Sequence, residues 1–204
     1  MDYQAKLSVP FGILGVRCND DALIGIEFLV PGTAPQPPVS AFAQKVCEQL
    51  SAYMIDPDFR FNLPIKPGGT VHQNNVWQAM RKIPRGETRS YGELAAALKS
   101  GAQAVGQACG ANPIPVIIPC HRVVGKSGLG GFMRHASGKS LDIKRWLLAH
   151  EAATPSPLQG EGWGEGRSVE SPLMEPLAIR LGHQKTKAKS LVTLPPFSPK
   201  GRGA

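Results

Sequence analysis

The chain has 204 residues, of which 42% are hydrophobic, and a formal net charge of +8. That is enough apolar material for one large or two small domains, and no apolar run is long enough to cross a membrane as a helix. The four cysteines, Cys18, Cys47, Cys109 and Cys120, form no CxxC pair and follow no secretory leader. This argues against a disulfide-stapled secreted domain and for a reduced, cytoplasmic protein, while the basic excess permits a nucleic-acid-binding face.

In chain order, residues 11–17 and 23–29 read as two strands joined by the polar turn Asn19-Asp20-Asp21. After Pro37-Pro38, the residues Phe42, Val46, Leu50 and Met54 switch to helical spacing, so residues 1–66 are expected to form a small α/β domain. Val76, Met80 and Ile83 mark one face of a further helix, which Pro84 stops. Ser90 followed by Glu93 is a capping-box arrangement and starts a helix over residues 91–98. Ser100-Gly101 interrupts it, and residues 102–109 form a second short helix of small residues. Helix, tight turn and helix are compatible with DNA binding, although the same geometry is common in proteins that never touch DNA. Arg81, Lys82, Arg85 and Arg89 are the best local cluster of positive charge.

Val116, Ile117 and Ile118, bounded by prolines, read as a short buried strand that presents Cys120 at its end. An adjacent imidazolium makes a thiolate more accessible, and His121 and Arg122 are the local candidates for that bias. By itself the pair leaves open an inert core cysteine, since neighbours on a strand face opposite ways. Gly125, Gly128, Gly130 and Gly131 then let backbone approach a ligand, with a plain flexible turn as the alternative. Leu141, Ile143, Trp146, Leu147 and His150 lie near helical periodicity and are expected to pack against the reactive strand. From Thr154 onward prolines and glycines recur without periodicity, so residues 153–204 are expected to be a disordered tail.

The order of these pieces is specific. Ser90-Tyr91-Gly92-Glu93-Leu94-Ala95, Asn112-Pro113, Pro119-Cys120-His121-Arg122-Val123, the glycine-rich loop and the run from Lys144 to Glu151 together resemble the O6-alkylguanine-DNA alkyltransferases. The resemblance runs from Gly69 through Glu151, and more weakly through the N-terminal part. It implies an α/β plus mainly α fold, with an N-terminal ribonuclease-H-like α/β domain (1–66) and a winged helix-turn-helix alkyltransferase domain (69–152). It implies that Cys120 accepts an alkyl group from guanine O6, and more slowly from O4-methylthymine, in a single irreversible turnover, with His121 receiving the thiol proton through a water-linked relay oriented by Glu151.

The same resemblance assigns Tyr91 to base rotation and contact, and Asn112 to the hinge between recognition helix and reactive segment. It places Gln103, Ala104, Gly106, Arg122, Val123, Gly131 and Phe132 at the DNA or the extruded base. Gln103 stands where the family has an arginine that fills the gap left by that base. Glutamine lacks the permanent charge and planar fork, so weaker DNA affinity or slower extrusion is expected. The loop after Phe132 departs from the family's glycine pair and leaves alkyl size open. Arg134 reads either as a phosphate contact or as a solvated charge.

The implied partner is double-stranded DNA carrying O6-alkylguanine, met by a monomer with no membrane association, no cofactor and no required metal. The competing readings are a nonenzymatic alkylated-DNA recognition protein, disfavoured by the retained Cys120, and a transcription factor, which leaves the Pro-Cys-His-Arg-Val segment unused. A methylphosphotriester sensor would need a four-cysteine zinc domain ahead of this part.

Overall fold

The computed structural model describes residues 2–135 and 138–151. The N-terminal part is built on three antiparallel strands in the order β1 (Ala5–Val9), β2 (Gly12–Cys18) and β3 (Leu23–Phe28). Leu14 and Val16 of β2 are fully buried, and Val16 sits opposite both Ala5 and Ile26. The β2–β3 turn is closed by Asn19, whose side-chain oxygen accepts from the backbone N–H of Asp21 and Ala22 at 3.0 and 2.7 Å. Helix α1 (Ala41–Ile55) covers this sheet. Ser40 caps it by accepting from Ala43 N, and Ala43, Val46, Cys47, Leu50 and Tyr53 form its buried stripe at the helical spacing.

The C-terminal part is mainly helical. Helix α2 (Val71–Arg81) starts with a full capping box between Thr70 and Gln73 and buries Val76, Trp77 and Met80. Ile83, expected on this helix, is buried just beyond its end. The two-residue strand β4 (Arg89–Ser90) leads into α3 (Tyr91–Ala97), whose Ser90–Glu93 capping box is formed in both directions. Four residues, with Lys99 at φ 50°, separate it from α4 (Ala102–Gly110). Gly101, the residue before α4, makes no side-chain cap. Trp77 Nε1 donates to Ala108 O at 2.8 Å and locks α2 to α4. After a 3₁₀ turn at Cys120–Arg122, strand β5 (Val123–Val124) pairs in parallel with β4, and α5 (Lys139–His150) closes the described chain.

The expected strand at Val116–Ile118 does not form. Pro113, Pro115 and Pro119 remove the N–H groups a ladder needs. Asn112 closes a compact turn instead, its side-chain oxygen accepting from Ile114 N at 3.0 Å and its Nδ2 donating to Ile118 O at 2.8 Å. Ile118 N also bonds back to Ile114 O, and Val116 is held at φ 74°. A β-branched residue in that region stores strain, of order 1–3 kcal/mol. The strand in this neighbourhood is β5, downstream of the cysteine.

The two parts share one hydrophobic cluster. Ile26 N of β3 donates to Pro113 O at 2.9 Å, Phe28 lies 5.7 Å from Phe132 between ring centroids, and Phe11 lies 5.0 Å from Trp146. The N-terminal sheet is therefore a buttress behind the segment that carries the thiol.

Candidate active site

Cys120 is placed by a local device. Its N–H bonds to Ile118 O at 2.8 Å across Pro119, whose φ of −82° and ψ of 68° are those of an inverse γ-turn. This turn presents the side chain, only 4% exposed, at a cavity of about 750 Å³. Gln103, Ala104, Gly106 and Gln107 of α4 line one side, and the segment from Gly131 to Arg134 lines another, joined by Tyr91 and by Thr70, His72 and Gln73 at the start of α2.

Burial pushes the Cys120 thiol up to about 11. The Asn112 side chain, the Lys144 charge and the N–H groups of Cys120 and His121 pull it the other way without overcoming burial. A thiol so held is largely neutral near pH 7 and needs a base to react.

The next residue, His121, is fully buried, and its Nε2 lies 3.0 Å from Glu151 Oε1. Burial alone would raise the Glu151 carboxyl, but hydrogen bonds from His121 and Arg122 outweigh it and hold the group well below the usual carboxylate range. The ionised carboxylate requires Nε2 to carry the proton, which leaves Nδ1 as the basic nitrogen. Nδ1 has no hydrogen-bond partner among the described residues. Burial lowers the His121 pKa below 6.5, against the raising effect of Glu151, so the ring is neutral and able to accept a proton.

Glu151 is the centre of a larger network. Arg122 donates to both its oxygens, from Nε at 2.8 Å and Nη2 at 2.7 Å, and Tyr53 Oη donates at 2.7 Å from α1. Arg85 holds the Glu151 backbone carbonyl at 3.0 Å. The remaining Arg122 nitrogen, Nη1, donates to Ile83 O at 2.6 Å. The expectation that Arg122 contacts DNA or the base is thus corrected: its guanidinium is committed to Glu151 and Ile83 and does not line the cavity. Nor does the fully buried Val123 line it; its carbonyl accepts from Lys144 Nζ at 2.6 Å. The basic cluster is also partly spent, since Arg85 pairs with Asp58 and Arg89 with Glu87.

The other sequence-selected residues gather as follows. Tyr91, Gln103, Ala104, Gly106, Gly131 and Phe132 all line the cavity, and Asn112 lies in the turn beneath it. Tyr91 Oη donates to Gly131 O at 3.2 Å, and burial together with the nearby Cys109 and Cys120 raises its hydroxyl to about 12. Gly130, at φ 65°, fits where no other residue would: an added Cβ would stand 2.8 Å from the Tyr91 ring and 3.0 Å from Gly125 N.

Two residues carry more of the site than the sequence suggested. Lys144 is fully buried and its Nζ donates to the carbonyls of Val123, Leu129 and Gly131 at 2.6, 2.5 and 3.0 Å, tying the glycine-rich loop to α5; burial lowers it to about 8. A buried lysine at the start of the Lys-Arg-Trp-Leu-Leu run looks like any helix-surface cation in sequence. Tyr53 is 98 positions from its partner Glu151 and leaves no sequence signal.

A helix-turn-helix beside a cavity that presents a buried cysteine fits the class of DNA-binding proteins that bring a thiol to their substrate. The family described as "6-O-methylguanine DNA methyltransferase, DNA binding domain" matches residues 71–153. The methylated-DNA–protein-cysteine methyltransferase of Methanosarcina acetivorans is 36% identical over 159 residues, covering 74% of this chain and 99% of that protein. The Haemophilus influenzae protein of the same description is 48% identical over 159 residues, 73% of this chain and 86% of its own. Among solved structures, the O6-methylguanine methyltransferase of Mycobacterium tuberculosis superposes with a TM-score of 0.63 at 33% identity, covering 77% of this chain and 96% of that one. M. tuberculosis OGT in complex with DNA gives 0.62 at 35%, covering 74% and 93%. The chain belongs to the methylated-DNA–protein-cysteine methyltransferase family.

Proposed function

We propose that this protein repairs O6-methylguanine in duplex DNA by a single, irreversible transfer of the methyl group to Cys120. The observation that carries the reading is a set of three groups: Cys120 at the cavity, the adjoining His121 neutral with no partner on Nδ1 among the described residues, and the ionised Glu151 at its Nε2. The damaged base turns out of the helix into the cavity, which brings its alkyl carbon to the thiol. His121 Nδ1 takes the thiol proton through a bridging water, and the sulfur lone pair forms the new S–C bond. The C–O6 bond breaks, its electron pair stays with the purine, and the purine ends with the proton that the thiol gave up. The thioether has no carbonyl for water to attack, so each molecule acts once.

In this reading Tyr91, Gln103, Ala104, Gly106, Gly131 and Phe132 meet the DNA or the base, and Asn112 is the hinge. O4-methylthymine is a slower substrate, and Gln103 weakens DNA binding relative to an arginine there. Residues 1–66 act as a ribonuclease-H-like support and residues 69–152 as a winged helix-turn-helix domain. The 153–204 tail, outside the described residues, is dispensable for both folding and repair. The protein works as a cytoplasmic monomer; no helix among the described residues is long and apolar enough to cross a membrane.

Incubation with duplex DNA containing O6-methylguanine should give one methyl per protein, located on Cys120 by peptide mass spectrometry, with guanine restored. Cys120→Ser should keep the fold and accept no methyl. Tight lesion binding without transfer would favour the recognition-protein alternative.

A further inference from the structure

Met133 stands over the acceptor sulfur. Its Sδ lies 4.0 Å from Cys120 Sγ, at van der Waals contact, and its side chain lines the cavity. The backbone holds it there. Phe132 and His135 exchange N–H···O bonds of 2.8 and 2.9 Å, closing a two-residue turn with Met133 at φ 48° and Arg134 at φ 65°. Positive φ at both central positions is the pattern of a type I′ turn, which favours Asn and Gly and is an unusual seat for methionine. The turn is seated closely on α4: an added Cβ on Gly110 would stand 3.0 Å from Arg134 Cγ and 3.3 Å from Arg134 N. The α4 wall includes the small residues Ala104, Gly106, Ala108 and Gly110 beside Gln103 and Gln107. The cavity measures about 750 Å³, and beside the sulfur part of that space is taken by Met133.

We propose that Met133 selects alkyl size, its thioether occupying the space beside Cys120 Sγ that the substituents of any group larger than methyl must enter. The proposal rests on the repair reading above. In-line displacement sets O6, the alkyl carbon and Sγ in a row, with carbon and sulfur roughly 3–3.5 Å apart before reaction. Whatever is bonded to that carbon splays sideways just above the sulfur. For methyl these are hydrogens; for benzyl, one is a ring, and it meets Met133. The chemistry is the same for both: the S–C bond forms, the C–O6 bond breaks and the thiol proton passes to the purine. Methionine's flexibility makes the restriction graded rather than absolute.

The test measures rate constants for S-alkylation of Cys120 in the full chain, with O6-methylguanine and O6-benzylguanine placed in the same duplex, by peptide mass spectrometry. Met133→Gly, which suits a positive φ, and Met133→Ala should each raise the benzyl-to-methyl rate ratio about tenfold or more, the scale on which a pocket reads added carbon atoms. Met133→Leu, of similar volume, should keep the ratio close to that of the parent protein. An unchanged ratio in the glycine and alanine variants, or an equal rise in the leucine variant, overturns the assignment. Absence of any methyl on Cys120 in the parent protein overturns the repair reading itself, which separates the two failures.

Discussion

The N-terminal and C-terminal parts are held together by different physics. The buried polar and charged side chains Asn112, His121, Lys144 and Glu151 lie in the C-terminal part, and the N-terminal part adds the Tyr53 hydroxyl to their network. The N-terminal part buries aliphatic side chains, and its Arg17–Glu27 pair is partly open to water, with side chains 30% and 41% exposed. An apolar core tolerates any sequence of about the right volume, whereas a buried charge network works only when each member has its partners. The chemistry sits in the second kind of structure, where the direction of one proton on His121 depends on a carboxylate supplied 30 positions away.

That contrast is open to direct test. The largest effect is expected from Glu151→Ala, which strands Arg122, Tyr53 and His121 together; removing one member of a buried pair costs about 3–5 kcal/mol, read by urea unfolding. Activity should fall as well, because His121 loses the group that fixes its tautomer. A similar loss from a surface-like position would erase the distinction between the parts. Leu50→Ala, at a fully buried position of α1, should cost about 2–5 kcal/mol through lost burial and a cavity, with repair by the folded fraction retained. Lys144→Met leaves three carbonyls without their donor and should cost about 1–3 kcal/mol; its mark is slower transfer by folded protein, since the loop from Val123 to Gly131 loses its tie.

Acid gives a graded version of the same test. Burial lowers the His121 pKa below 6.5, so the unfolded chain takes up a proton there that the folded chain refuses, and stability declines as pH falls below about 6.5. Glu151, held below 4.5, contributes stability that is present above that value and is lost on further acidification. Unfolding midpoints followed from pH 7 to about pH 2 should therefore drop in two stages, the second beginning below 4.5, and His121→Gln should flatten the first. The smallest effect is reserved for Arg17→Ala, where a partly exposed ion pair is worth about 0.2–1 kcal/mol and should fade with added salt.

Much of the fold was legible locally. The stripe on α1, the Ser90–Glu93 capping box and the break at Ser100-Gly101 are short-range features, and each stands where the sequence pattern puts it. Strand β1 was missed because Ala-Lys-Leu-Ser-Val alternates weakly, and β5 because a two-residue strand exists only by pairing with β4. The strand expected at Val116–Ile118 failed for an instructive reason. Three apolar β-branched residues outweighed three prolines in the pattern, while in the molecule the missing N–H groups and the Asn112 side chain prevailed. Arg122 was misread as DNA-facing because a guanidinium next to a nucleophile has the same appearance in sequence whether it points out to phosphate or back to a carboxylate.

The sequence by itself determined the family and the acceptor thiol, and it singled out His121 and Glu151 as the proposed base and carboxylate, because those depend on residue types kept in a fixed order. Only the tertiary structure decided that Tyr53 and Arg122 hold Glu151, that Lys144 ties down the glycine-rich loop, and that Met133 rests against the sulfur. These are contacts between residues from 13 to 98 positions apart. Hydrogen bonding and van der Waals contact act over a few ångströms of space, and the chain's order says nothing of that distance until the core has packed.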